Sequence, residues 1–132
     1  MNASRIVIGA LLCAAFLNAG AQAPDGKALF QKNCAACHQA NGKGIPGAFP
    51  ALAGNPLVQG PPAQVATVLL KGRGGMPDFS ASLSDADIAQ VLTYARTSWG
   101  NRAGAVPDTE VASLRASLQA AQAGTARLSN KH

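Results

Sequence analysis

The chain has 132 residues, room for one small domain with a modest core. Aromatic residues make up only 5 %, with one Trp, one Tyr and four Phe, so the core calls for a supplement such as disulfides, a metal or a bulky apolar group. Eleven Lys and Arg against six Asp and Glu give a formal charge of +5. No dense basic run or interleaved aromatic pattern goes with it, which excludes nucleic acid as a natural partner and favours an acidic protein surface.

Residues 1–21 read as an export signal. Arg5 supplies the positive n-region, and 6–17 is an uncharged apolar run, short for a membrane span. Ala19-Gly20-Ala21 fits a cleavage site, which places the cut near Ala21. An uncleaved anchor is the minor reading. Cys13 lies in the apolar run and leaves with it; Leu12 stands where a lipoprotein site wants a small residue. The mature chain then keeps Cys34 and Cys37 as its only cysteines, and losing Arg5 leaves a charge of +4. Export implies the periplasm, where thiols rarely stay free. A disulfide three positions wide would constrain the unfolded chain little, so another use of the two sulfurs is expected.

Asp25 is an N-cap for a helix running to about Cys37, with Ala28, Leu29, Phe30 and Cys34 at helical spacing. Residues 39–61 are rich in Gly, Pro and Asn and poor in Val, Ile and Thr, and read as irregular loop. Pro61-Pro62 opens a second helix with Val65, Val68 and Leu69 on one face, and Gly72 ends it. Residues 73–83 are loop again, containing Gly74-Gly75-Met76-Pro77. Ser84 caps a third helix, with Asp87 completing a weaker form of the capping box. Its stripe is Ile88, Val91, Leu92 and Ala95, and Gly100 ends it. Val111, Leu114 and Leu118 predict a fourth, appended helix from Pro107 to about Ala123, with a frayed end from Leu128. There is no βαβ alternation, phosphate-binding glycine loop or Ser/His/Asp set, and the chain reads as all-α.

The chemistry lies in Cys34-Ala35-Ala36-Cys37-His38, a C-x-x-C-H run, which is the haem-attachment signature. Two thiols with two residues between them, at a helix end, reach one edge of a porphyrin and form thioethers with its vinyl groups. His38 then falls beneath the ring and offers its imidazole to the iron. Ala35 and Ala36 are small enough not to obstruct. A redox Cys-x-x-Cys pair would want a strand–helix arrangement that this chain lacks, and structural zinc wants four ligands where only distant His132 could add to these three. Met76 is the sole methionine of the mature chain and sits in a glycine-rich loop stiffened by Pro77, which favours it as second axial ligand over core filler. His132 and Lys71 are weaker alternatives.

From about Asp25 to Trp99 the chain is similar to class I cytochromes c. The resemblance implies a cytochrome c-like fold of a few helices around one covalently bound haem c, with His38 as proximal and Met76 as distal ligand. Pro50-Ala51-Leu52-Ala53-Gly54 resembles the family's Pro-x-Leu-x-Gly segment. By that match the Pro50 carbonyl accepts from the second imidazole nitrogen of His38, and Leu52 packs on the haem. First and last family helices cross, which implies that Gly26 and Phe30 meet Tyr94. Phe30, Tyr94 and Trp99 read as ordinary core, and Phe49 and Phe79 are candidates to flank the haem. The stretch from His38 to Met76 is short, which implies more exposed haem edge than in larger members. Ser98-Trp99-Gly100-Asn101 followed by a helix resembles the cytochrome modules of bacterial alcohol and aldehyde dehydrogenases. The expected organisation is a signal peptide (1–21), a cytochrome domain (22–100) and a C-terminal extension (101–132).

The expected function is a periplasmic one-electron carrier, not an enzyme, serving alone or as a small subunit. It would pass electrons from a dehydrogenase or quinol-oxidising complex toward a terminal oxidase, touching the membrane only through a partner or an uncleaved signal. Lys43, Lys71 and Arg73 are expected to dock an acidic partner or to be ordinary surface, and Arg73 is equally open to pairing with a haem propionate. The competing expectation is a five-coordinate haem enzyme or gas sensor in which Met76 does not bind iron. A metal or redox module without haem is the third.

Overall fold

A computed structural model describes residues 25–129, and the expected export signal, Cys13 included, lies outside the described residues, as does His132. Six helices follow in order among the described residues: α1 (Gly26–Asn33), α2 (Ala35–His38), α3 (Pro56–Gln59), α4 (Pro62–Lys71), α5 (Asp85–Thr97) and α6 (Asp108–Ser129). No helix among them is long and apolar enough to cross a membrane.

The Asp25 carboxylate accepts from the Lys27 N–H at 3.0 Å and starts α1. The single helix expected up to Cys37 is instead two. Cys34 takes φ −124° and ψ −32°, which breaks the helix between Asn33 and Ala35. The chain restarts at once as α2, where the His38 N–H donates to the Cys34 carbonyl at 2.9 Å. Gln39 at φ 63° then turns the chain away.

The expected loop over 39–61 also holds α3. Asn55 starts it by accepting from the Leu57 and Val58 N–H groups, and Pro56 stands in the first turn, where no amide proton is needed. Apart from an isolated bridge between Ile45 and Phe49, the segment is irregular. In α4 the buried residues are Val65, Ala66, Leu69 and Leu70; Val68, placed on the stripe by spacing, is only half-buried. The helix is buried along a broader face than three positions suggested.

α5 is the central element. Ser84 and Asp87 form both halves of the capping box, and Ile88, Val91, Leu92 and Ala95 are all buried. α1 crosses α5 at Gly26, where a Cβ would overlap the Gln90 carbonyl and press on Tyr94, so only glycine allows this approach. Above the crossing, Phe30, Tyr94 and Trp99 stack with ring centroids 5.0–5.5 Å apart in tilted and edge-on pairs. Trp99 also donates its indole N–H to the Ala40 carbonyl and covers Gly42.

After α5 the chain reverses. Trp99 (φ 54°) and Gly100 (φ 84°) adopt left-handed conformations in succession, and residues 101–106 run back along the helix. The Ala103 N–H reaches the Arg96 carbonyl, and the Val106 N–H reaches the Thr93 hydroxyl. α6 then packs on α4 and α5 through fully buried Val111 and half-buried Leu114 and Leu118. It is longer than the spacing predicted, and Leu128, expected to be frayed, is still helical. Beyond Leu118 every described side chain is exposed.

Candidate haem site

His38 is buried, 7 % exposed, at the end of α2. Its Nδ1 lies 2.9 Å from the Pro50 carbonyl oxygen. A carbonyl can only accept, so Nδ1 carries the proton and Nε2 is left as the lone-pair donor, which is the tautomer a metal requires. Pro50 is held opposite by a compact loop. The Gly44 N–H donates to the His38 carbonyl, and a Cβ at Gly44, which sits at φ 63°, would lie 2.6 Å from the Pro50 carbonyl oxygen. The Leu52 and Ala53 N–H groups both donate to the Gly42 carbonyl, at 2.7 and 3.0 Å.

Cys34 and Cys37 are half-buried thiols that form no disulfide. Burial pushes the Cys34 thiol up to about 11, and the neighbouring Cys37 adds to the rise. As a free thiol Cys34 is therefore protonated and poorly suited to redox exchange at neutral pH.

Met76 is half-buried in the loop between α4 and α5, packed at the margin of the core with Cys34, Leu52 and Phe79. Backbone bonds between Arg73 and Met76 in both directions close its turn, at 3.0 and 3.1 Å. The loop re-enters the core where the Phe79 N–H meets the Leu69 carbonyl at 2.7 Å. Ile45 and Phe49 are the large apolar side chains left exposed near the His38 loop, each at 40 %, and Phe49 lines an open cleft with Lys43 and Pro50.

Among the described residues no three His, Cys, Asp or Glu side chains converge on one point, so a bare ion finds no cage here. The set does fit a flat apolar macrocycle. It combines two thiols, an imidazole with Nε2 uncommitted, a thioether, and a lining of Leu52 and Phe79 incompletely covered by protein.

Two buried polar residues are not evident from the sequence reading. Arg96 donates through Nη1 to the Val58 and Gly60 carbonyls and through Nε to the Gly104 carbonyl. A signal for it exists, since Ile88, Leu92 and Arg96 recur every four residues on one helical face. Asn101 donates to Leu52 and Ala95 and accepts from Gly54, contacts 6 to 49 residues away that no local pattern announces.

Comparison with known proteins bears on the same residues. Residues 21–94 match the family model described as cytochrome C oxidase, cbb3-type, subunit III. The chain is 37 % identical over 114 residues to the cytochrome c subunit of the quinone alcohol dehydrogenase of Gluconobacter oxydans, covering 76 % of this chain and 24 % of that protein. It is 39 % identical over 93 residues to cytochrome c-552 of Thermus thermophilus, covering 58 % of this chain and 70 % of that protein. It is 36 % identical over 89 residues to the cbb3-type cytochrome c oxidase subunit CcoP of Azospirillum brasilense, covering 62 % and 30 %. The chain thus spans about a quarter of the length of the alcohol dehydrogenase subunit it matches. With the family model covering more than half its length, and an all-helical fold to match, this chain belongs to the haem-binding c-type cytochrome family.

Proposed function

We propose that this protein is an exported mono-haem cytochrome c that carries single electrons between proteins, with no catalysis of its own. Cys34 and Cys37 tether the haem, His38 Nε2 is the proximal ligand and Met76 sulfur the distal one, with Leu52 against the ring. Bound there, haem supplies a one-electron iron couple. The observation that carries the reading is the buried His38, with Nδ1 committed to Pro50 and Nε2 left over, immediately after the C-x-x-C pair.

The protein's part is to fix ligands and exclude water. The Pro50 carbonyl holds the His38 tautomer and makes Nε2 a better donor. Thioether ligation by Met76 raises the potential relative to a second imidazole, and apolar lining by Leu52 and Phe79 disfavours the additional charge of the oxidised state in the same direction. With His38 and Met76 both holding the group, it would offer oxygen and peroxide no place to bind and would supply one-electron exchange alone.

The proposed organisation keeps a signal at 1–21, a cytochrome domain at 22–100 and an extension at 101–132, placing the mature protein in the periplasm. The partners proposed are a dehydrogenase or quinol-oxidising complex as donor and a terminal oxidase as acceptor. The names of the relatives, subunits of a quinone alcohol dehydrogenase and of a cbb3-type oxidase, support partners of that kind. A second reading, with iron open on the Met76 side, is favoured by the position of Met76 in a loop with exposed Gly74 and Gly75.

The test is export in a host competent for cytochrome c maturation, then oxidised and reduced visible spectra with and without carbon monoxide. The carrier reading expects a low-spin spectrum with a far-red sulfur-to-iron band, unmoved by carbon monoxide. A high-spin spectrum that shifts with carbon monoxide would hand the protein to the second reading. Absence of covalent haem would overturn both.

A further inference from the structure

Asn101 has no part in holding haem, yet it is among the most deeply buried polar side chains described, at 4 % exposure. The left-handed pair Trp99 and Gly100 swings it back over the end of α5, toward the loop that faces His38. Its amide is fully used. Nδ2 donates to the Leu52 carbonyl at 3.0 Å and to the Ala95 carbonyl at 2.8 Å, while Oδ1 accepts from the Gly54 N–H at 2.8 Å.

We infer that Asn101 is a positioning residue for His38, fixing the Leu52–Gly54 backbone and with it the Pro50 carbonyl that receives the His38 Nδ1–H. The inference rests on the ligand role proposed for His38. The loop is gripped on two edges. On one edge, Leu52 and Ala53 donate to the Gly42 carbonyl. On the other edge, Asn101 takes the Leu52 carbonyl and the Gly54 N–H, and its bond to Ala95 ties both to the last turn of α5. Without the second edge the Leu52 carbonyl keeps only the longer Asn55 N–H bond at 3.2 Å and the Gly54 N–H loses its Asn101 acceptor, so the peptides on either side of Ala53 can pivot about the Gly42 carbonyl, two residues from Pro50; the Asn55 side chain still holds the Ala51 carbonyl and limits the swing. The chemistry selects asparagine. Aspartate accepts from Gly54 but cannot donate to two carbonyls, and leucine leaves the Gly54 N–H and the buried Ala95 carbonyl without their side-chain partner and the Leu52 carbonyl with only the Asn55 N–H at 3.2 Å. A looser Pro50 carbonyl leaves the imidazole less electron-rich at Nε2, which disfavours the oxidised state.

The experiment uses the exported, haem-bearing protein and its Asn101→Ala variant. Exchange of the His38 Nδ1 proton is followed by NMR, and the reduction potential is measured alongside. The expected result is about tenfold faster Nδ1–H exchange, the size of one lost hydrogen bond, with an upward shift in potential. Val111→Ala, which loosens α6 without touching the loop, should leave both at wild-type values. Unchanged exchange in Asn101→Ala, or equal changes in the two variants, would overturn the inference. Should Asn101→Ala not accumulate, native-state hydrogen exchange on the wild type decides. The Gly54 N–H and His38 Nδ1–H must then open together, with one denaturant dependence, and separate openings reject the coupling. A wild-type protein without covalent haem would instead sink the cytochrome reading, which keeps the two failures apart.

Discussion

The loops that carry His38 and Met76, the two proposed iron ligands, are built differently. On one side His38 ends a helix, is buried, and meets the carbonyl of Pro50, in a loop packed against Gly44 and bonded to Gly42 and Asn101 at Leu52–Gly54. On the other side Met76 rides a turn closed by Arg73 and Met76 themselves, with Gly74 and Gly75 exposed beside it. Beyond the Phe79 N–H bond to the Leu69 carbonyl, its tie to α6 is Arg115. That guanidinium pairs with Asp85 at 2.7 Å and donates to the Leu83 carbonyl at 2.9 Å and to the Ser80 carbonyl, all C-terminal to Met76. One side is preorganised through several long-range bonds, whereas the other keeps slack.

The sharpest way to break this comparison is to remove each ligand in turn. His38→Ala should abolish recovery of haem-bearing protein, since that side has no spare donor within its fixed loop. Met76→Ala should keep covalent haem, lose the far-red band and bind carbon monoxide. Haem content and carbon monoxide titration read the two outcomes. Equal retention of haem in both variants would mean that the firm and slack sides are misassigned.

Glycines probe the same difference with smaller perturbations. Gly44 is at φ 63° and faces the Phe49 and Pro50 carbonyls, so Gly44→Ala must move the Pro50 peptide and should cost about 2 kcal/mol. At Gly75 an added Cβ would meet nothing within 4 Å, and the backbone is not left-handed there. Gly75→Ala should therefore lie within about 1 kcal/mol of wild type and on the stabilising side. Urea midpoints at constant slope give both values. Arg115→Met comes next. The partly exposed pair with Asp85 contributes little by itself, but the lost carbonyl bonds should bring the cost to about 1–2 kcal/mol. Carbon monoxide should also compete more readily for the iron in this variant, because the loop after Met76 loses its tie to α6.

What can be read from the sequence follows the range of each signal. Capping at Asp25 and Ser84 and the Ile88–Ala95 stripe depend on neighbours or on helical period, and all are present; the Gly26 crossing, also present, is readable only through the family resemblance. The break at Cys34 is hidden because Asn33 to Ala35 carry no breaker residue. α3 escapes notice although Asn55-Pro56 is a start signal, because four residues are too few to show a period. The donors of the candidate site can be picked out by type and spacing. The carbonyl opposite His38 can be named only through family resemblance, and the grip of Asn101 on Leu52, 49 residues away, not at all. Tertiary hydrogen bonds to backbone carbonyls leave no residue-type trace at the accepting end.

The smallest expected effect bears on which side a partner touches. Lys43 and Arg73 are exposed on the His38 and Met76 loops respectively, whereas Lys71 lines a cleft with Leu118 and Thr125 of α6. Ile45 and Phe49 lie close to Lys43 in sequence and give that side an apolar centre with a charged margin, the pattern of a transient docking surface. Lys43→Gln should therefore slow oxidation by an acidic partner protein about twofold at low salt, Arg73→Gln less, and Lys71→Gln least. Stopped-flow rates should converge for all three as salt rises toward 1 M, where the screening length is about 3 Å. If Arg73→Gln gave the largest loss, the partner would be approaching over the slack loop.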